Sequence, residues 1–174
     1  MRSRLAQLVV GQPQSVFAIM DGARDRSISG LLRESGFRHQ SLYEGAEGEE
    51  LAPFGPYLAQ IRGSAESIRR WLDQALGRSF GVHLFCDQPF ELVRRHLRRF
   101  LIVQLEDGRR VYFRFYDPRV LRAFLPGCTH EEWIQFFGPI ETYVVESAGP
   151  DDLLLFHREA DQPEPERLTL ATAE

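Results

Sequence analysis

The sequence predicts one α/β or α+β domain, a mixed β-sheet flanked by helices. Three observations predict it. Short apolar runs of strand length alternate with segments whose apolar residues recur at helical spacing. Capping residues, glycines and prolines mark the junctions between them. Residues 100–116 read as a β-hairpin that runs directly into a helix begun by Pro118.

The totals agree. The 174 residues suit one domain with a real core, and 43% hydrophobic with 26% charged residues excludes a disordered or fibrous chain. No run approaches the roughly 18 apolar residues of a membrane span. The start, MRSRLAQLVV, is too weakly apolar for a secretory signal, so a cytoplasmic protein is expected. Residues 1–14 are read as an N-terminal extension and 15–158 as the domain. Residues 159–174, acidic and carrying Pro163 and Pro165, are read as a disordered tail.

In order, residues 15–20 (SVFAIM) fit a buried strand, and Asp21-Gly22 a turn. Ile28, Leu31 and Leu32 are spaced for a short helix ended by Ser35-Gly36. Residues 37–43 carry a weak strand pattern. An acidic loop, EGAEGEE at 44–50, is followed by a helical turn at 51–55 and a strand at 56–61. Ser64 is a good N-cap, with Glu66 in the first turn where the helix dipole favours a carboxylate. Ala65, Ile68, Trp71, Leu72, Ala75 and Leu76 make the apolar face of that helix, and Gly77 closes it. A strand is expected at 80–85 and a helix from Pro89. Phe90, Val93, Leu97 and Leu101 form its inner face, with Arg94, Arg95, Arg98 and Arg99 outside. Strands at 100–105 and 108–116, a helix at 129–137 with a Thr129–Glu132 capping box, and strands at 140–145 and 153–156 complete the chain.

The hairpin register follows from its buried face. A two-residue Asp107-Gly108 turn would put the apolar side of one strand beside the polar side of the other. A three-residue loop, 106–108, pairs Val103 with Val111 and Leu101 with Phe113. It also puts Gly108 at the left-handed position, where glycine has no steric cost. Val111, Phe113 and Phe115 then face the core, while Arg110, Tyr112, Arg114 and Tyr116 face away. Asp117 caps the helix that Pro118 begins.

Catalytic signals are weak. Five histidines show no zinc-motif spacing, and Cys86 and Cys128 have no metal-type spacing, so reduced, largely buried thiols are expected. His83 and Cys86 fall on opposite faces of a strand. His96 flanks an arginine-rich helix as a solvated side chain. P-loop, dinucleotide-binding and nucleophile-elbow patterns are absent from the sequence. Neither an enzyme nor a bound cofactor or metal is expected.

All 21 basic residues are arginine, and nine of them lie in residues 94–122. Arginines interleaved with aromatics there admit a single-strand or RNA-binding module. They equally admit a protein-binding face, since arginine and tyrosine are enriched at interface hot spots. A third reading has the arginines paired with acids of the same domain. The candidate partner-binding residues are Tyr112, Arg114, Tyr116, Arg119 and Arg122. The structural corner residues are Gly108, Asp117 and Pro118.

FAIMDGA at 17–23, SLYEG at 41–45, GPYLAQI at 55–61 and WLDQALGRSFGVHL at 71–84 carry a family resemblance. The strongest segments are LRRFLIVQLEDGRRVYFRFYDPRVLRAFLP at 97–126 and FFGPI at 136–140. Over residues 16–145 the chain resembles the effector-adaptor (effector-chaperone) domain of bacterial type VI secretion systems, in a short form without a large C-terminal lobe. The resemblance implies a non-enzymatic bacterial cytoplasmic protein. It would bind one effector and help load it onto the VgrG spike. The cargo and the oligomeric state are not implied.

Overall fold

The structure is a computed structural model. The structure describes residues 9, 15–45, 50, 54–105, 107–149, 152–160 and 164–170. The N-terminal extension, Val9 excepted, and most of the helical turn expected at 51–55 lie outside them, as does Glu106 of the hairpin loop.

In chain order the first half comprises β1 (Ser15–Asp21), α1 (Ser27–Ser35), β2 (Arg38–Ser41), β3 (Pro56–Ile61), α2 (Ala65–Ala75) and β4 (Gly81–Cys86). The second half comprises α3 (Phe90–Arg98), β5 (Ile102–Gln104), β6 (Arg110–Tyr112), α4 (Pro118–Phe124), α5 (His130–Phe137), β7 (Thr142–Glu146), β8 (Asp152–His157) and β9 (Glu166–Thr169). A 3₁₀ turn, Leu125–Gly127, follows α4. The expected class is found: one sheet with helices, the hairpin, and the proline-initiated helix. Every ladder among the described residues is antiparallel, where the sequence admits parallel pairs as well.

Among the described residues the main sheet has seven strands in the order β2-β3-β1-β4-β7-β8-β9. Its first four strands and two helices follow β-α-β-β-α-β, with β3 between β1 and β2, and β1 between β3 and β4. That is the split βαβ, ferredoxin-like arrangement. Val16, Ala18 and Met20 of β1 pack with Ile28, Leu31 and Leu32 of α1 and with Ile68, Trp71, Leu72 and Ala75 of α2. Phe17 and Ile19 face the other way, into a cluster with Phe90, Val93 and Leu97 of α3, Leu121 of α4 and Trp133, Phe136 and Phe137 of α5. Both faces are thus covered, so β1 and β4 are buried almost throughout. Their sequences accordingly read as continuous apolar runs and not as alternating ones.

Caps form where the residue types placed them. Ser64 Oγ accepts from Ser67 N–H at 3.2 Å. Thr129 and Glu132 make the full capping box. Asp117 caps α4, with Pro118 at its start. The hairpin takes the three-residue loop: Val103 pairs with Val111, Phe113 N–H donates to Leu101 O at 3.0 Å, and Gly108 has φ +83°.

Four expectations are corrected. The strand after the hairpin loop ends at Tyr112, because a turn closed by Asp117 N–H donating to Arg114 O at 2.9 Å takes over. Strand alternation therefore fails at residue 116, and Tyr116 is buried beside Phe115. Residues 164–170, placed in the disordered tail by composition, are ordered: β9 pairs with β8, and Leu168 and Leu170 enter the core. Arg94 and His96 are buried, although helical spacing put Arg94 outside and left His96 solvated. The reason is that α3 lies between the end of β2 on one side and α5 on the other. Its flanks are covered as well as its base.

Candidate functional site

The site is the region where β1 ends, the hairpin ends and α4 begins. Asp21, the last residue of β1, is 2% exposed and receives the guanidinium of Arg114 in an ion pair. Its other oxygen accepts from Ala23 N–H at 3.1 Å. The hydrogen bond from Arg114 to Asp21 keeps this arginine still more firmly protonated. One turn on, Asp117 Oδ1 accepts from Arg119 N–H at 3.0 Å and from Arg119 Nε at 2.9 Å, and Oδ2 accepts from Arg119 Nη2 at 2.5 Å. Burial works against ionisation of Asp117. The hydrogen bonds and charge of Arg119 outweigh it and hold the carboxyl below its usual range. Arg122 Nη1 donates to the carbonyls of Glu146 and Ser147 at 3.1 and 3.2 Å.

These contacts assign roles to the candidates. Arg114, Arg119 and Arg122 each bind a group of their own domain, so they brace the corner and tie it to β1 and the end of β7. Arg114 and Arg119 nonetheless leave nearly half of their side chains in solvent. Tyr116 is buried, with its ring against Phe115 and Tyr43 nearby. Burial first, then the nearby Tyr43 and Asp21, pushes the Tyr116 phenol far above its ordinary value. Tyr112 alone of the five candidates projects freely, at 60% exposure. Its ring meets Tyr43 edge-on, with centroids 6.3 Å apart.

Residues that the sequence did not single out complete the arrangement. Arg94 Nε donates to Ser41 O at 2.9 Å and its Nη1 to Glu44 at 2.7 Å. Arg98 Nε donates to Leu42 O at 2.9 Å, and Arg98 also pairs with Glu44. Two arginines of α3 thus clamp residues 41–44 and set Tyr43 against Tyr112 and Tyr116. The inner side of the hairpin rests on an aromatic cluster around Phe136 of α5. Phe100, Phe113, Phe115, Phe124 and Tyr143 lie 5.1, 6.3, 5.8, 5.4 and 5.2 Å from it. Pro139 and Gly138 end α5. Gly138 has φ +49°, and a Cβ there would lie 2.3 Å from the His96 ring. His96 Nε2 lies 2.9 Å from Phe136 O, which makes that nitrogen the N–H donor.

Chemistry elsewhere is structural in its geometry. His83 is buried and its Nε2 faces Trp71 Nε1 at 3.4 Å. Indole can only donate, so Nε2 is the acceptor. The Cys86 thiol points to Pro139 O at 3.1 Å, on the opposite face of β4 from His83. Burial pushes both cysteine thiols up, Cys128 to about 11, which suits inert thiols. Thr142 Oγ1, His157 and Glu166 form a hydrogen-bonded chain at 3.1 and 3.2 Å. The Thr142 hydroxyl belongs to a buried residue, so the chain ties β7, β8 and β9 together. Among the described residues no group of three or more His, Cys, Asp or Glu is placed to hold a metal ion. None of the described helices is long and apolar enough to cross a membrane.

The corner is a braced scaffold that holds out a small tyrosine-bearing ribbon, and the family match falls on that framework. The model described as Domain of unknown function (DUF4123) matches residues 16–135, more than half of the chain. The chain belongs to this family. No curated protein and no solved structure matches it.

Proposed function

We propose that this protein is a non-enzymatic adaptor that binds a type VI secretion effector and promotes its loading onto the VgrG spike. The family membership and the resemblance of residues 97–126 and 136–140 support the reading. The observation that carries a binding role is the hairpin. It projects from a rigid corner with its inner side packed on the aromatic cluster and Ile102 and Tyr112 exposed on its outer side. Exposed aromatic and aliphatic side chains on a fixed support are what interface anchors require.

The nucleic-acid reading is the weaker one. Of the nine arginines in residues 94–122, Arg94, Arg98, Arg109, Arg114 and Arg119 pair with carboxylates, and Arg122 binds backbone carbonyls. A single-strand groove needs a run of cations free to meet phosphates.

The test is co-expression with the products of the adjoining genes, followed by pull-down at moderate salt. Tyr112→Ala and Ile102→Asp should lose the effector while retaining the wild-type melting temperature. Effector recovery equal to wild type in both variants would sink the proposal. So would binding that collapses with salt along the steep slope of phosphate contacts.

A further inference from the structure

The β5–β6 hairpin forms a sheet of its own, hydrogen-bonded to none of the seven main strands. Two ladder bonds fix which backbone groups face outward. Phe113 N–H donates to Leu101 O, and Leu105 N–H donates to Arg109 O at 2.8 Å. Hydrogen-bonded and non-hydrogen-bonded pairs alternate in an antiparallel ladder. The pairs Ile102–Tyr112 and Gln104–Arg110 are therefore the ones whose own N–H and C=O groups point away from the ribbon. On the β6 side, Tyr43 stands against Tyr112. On the β5 side no hydrogen bond from another element reaches Ile102 or Gln104 among the described residues. The side chain of Gln104 bonds only within the ribbon, to Gly108 O at 3.2 Å.

Such an edge is a template for another strand, and proteins usually blunt it with charge, proline or a covering loop. Here β5 reads Ile-Val-Gln, with Ile102 40% exposed and no charge or proline. A two-stranded ribbon is also marginal by itself in water, so a third strand would stabilise it. Asp107 in its loop is paired with Arg109, and the charge around it that finds no partner among the described residues is positive. Arg99 at the foot of β5 and Arg110 opposite Gln104 are exposed and have no carboxylate partner among the described residues. Ile102, Gln104, Arg110 and Tyr112 lie on one face, so an added strand would lay its alternate side chains beside an apolar pair flanked by guanidiniums.

We infer that the free edge of β5 takes an extended acidic segment of a partner protein, with apolar residues at alternate positions, as a third strand of the hairpin. Main-chain hydrogen bonds to Ile102 and Gln104 supply affinity. Arginine–carboxylate pairing and the Ile102–Tyr112 patch supply selection. This deepens the adaptor reading, since the segment would belong to the effector.

The experiment measures residue-resolved amide hydrogen exchange on the full chain. One probe is a decapeptide of alternating aspartate and valine. Its arginine–valine counterpart and a single-stranded RNA dodecamer are the controls. The acidic peptide should slow exchange at Ile102 and Gln104, and neither control should. Gln104→Pro removes an outward N–H while leaving the β5–β6 ladder intact, and Gln104→Ala controls for the lost side-chain bond. The proline variant should bind the peptide roughly tenfold more weakly than the alanine variant. Equal binding by the two variants, protection elsewhere, or protection by the RNA overturns the inference. The same amides should be protected by the co-expressed effector. An effector that binds without protecting them overturns the strand addition and leaves the adaptor reading standing. Peptide protection with no effector binding does the reverse.

Discussion

Tyr143 is wholly buried, and its hydroxyl has no hydrogen-bond partner among the described residues. A buried polar group without a partner costs free energy that an apolar ring of the same shape avoids. Tyr143→Phe should therefore keep the fold and raise stability by up to about 1 kcal/mol, read by urea denaturation. His83 gives a pH signature. Burial lowers its pKa from the ordinary 6.5 to about 4. Below pH 6.5 the unfolded chain takes up a proton that the folded one refuses. Stability should then fall as pH drops from 6.5 towards 4, by roughly 3 kcal/mol in total, and level off below. His96, lowered by its own burial, adds with the same sign. Denaturation of His83→Gln across this range should show a shallower slope. An unchanged slope would assign the acid sensitivity elsewhere.

At the scale of elements, the corner depends on pairs far apart in sequence. Arg114 follows the hairpin, and Asp21 ends β1. Arg114→Ala would leave the buried Asp21 carboxylate with only the Ala23 N–H among the described residues. It should destabilise the protein by about 2 kcal/mol, a typical cost for losing a hydrogen bond to a charged group. Binding should survive in the folded fraction, because Tyr112 and the β5 edge are untouched. Effector recovery matched to folded fraction, and not to total protein, is the measurement that separates bracing from contact. Helix α3 works similarly. Its inner face fills the core, while Arg94 and Arg98 on its flank fix residues 41–44 and with them Tyr43.

At the scale of the whole molecule, the ferredoxin-like half is extended by β7, β8 and β9, and its second face is covered by α3, the hairpin, α4 and α5. The last strand belongs to this body. Removing residues 164–174 would strip Leu168 and Leu170 from the core and expose the edge of β8. Burying one such side chain is worth about 1.5–3 kcal/mol, so the truncated protein should lose roughly 3 kcal/mol or more. A melting temperature equal to that of the full chain would return this segment to the status of a tail.

Local rules account for what was legible in the sequence. Ser64, Thr129 and Asp117 cap helices because a side-chain oxygen can reach a free N–H one turn on. The hairpin register is legible because Val103 and Val111 must share the buried side and Gly108 must turn. Each of these decisions is made within a few residues, so the chain alone determines it. Tertiary structure decided the rest. Tyr116 turns inward because a turn replaces the last strand residues. Arg94 turns inward because the end of β2 offers carbonyls and Glu44. Arg114 becomes a brace because β1 brings Asp21 to it from 93 positions away. Leu168 and Leu170, in a segment of disorder-like composition, are ordered because β8 presents an edge and a core to receive them. Whether an arginine binds a partner or its own domain is an electrostatic competition between groups distant in sequence, and only the folded arrangement sets which carboxylate is near.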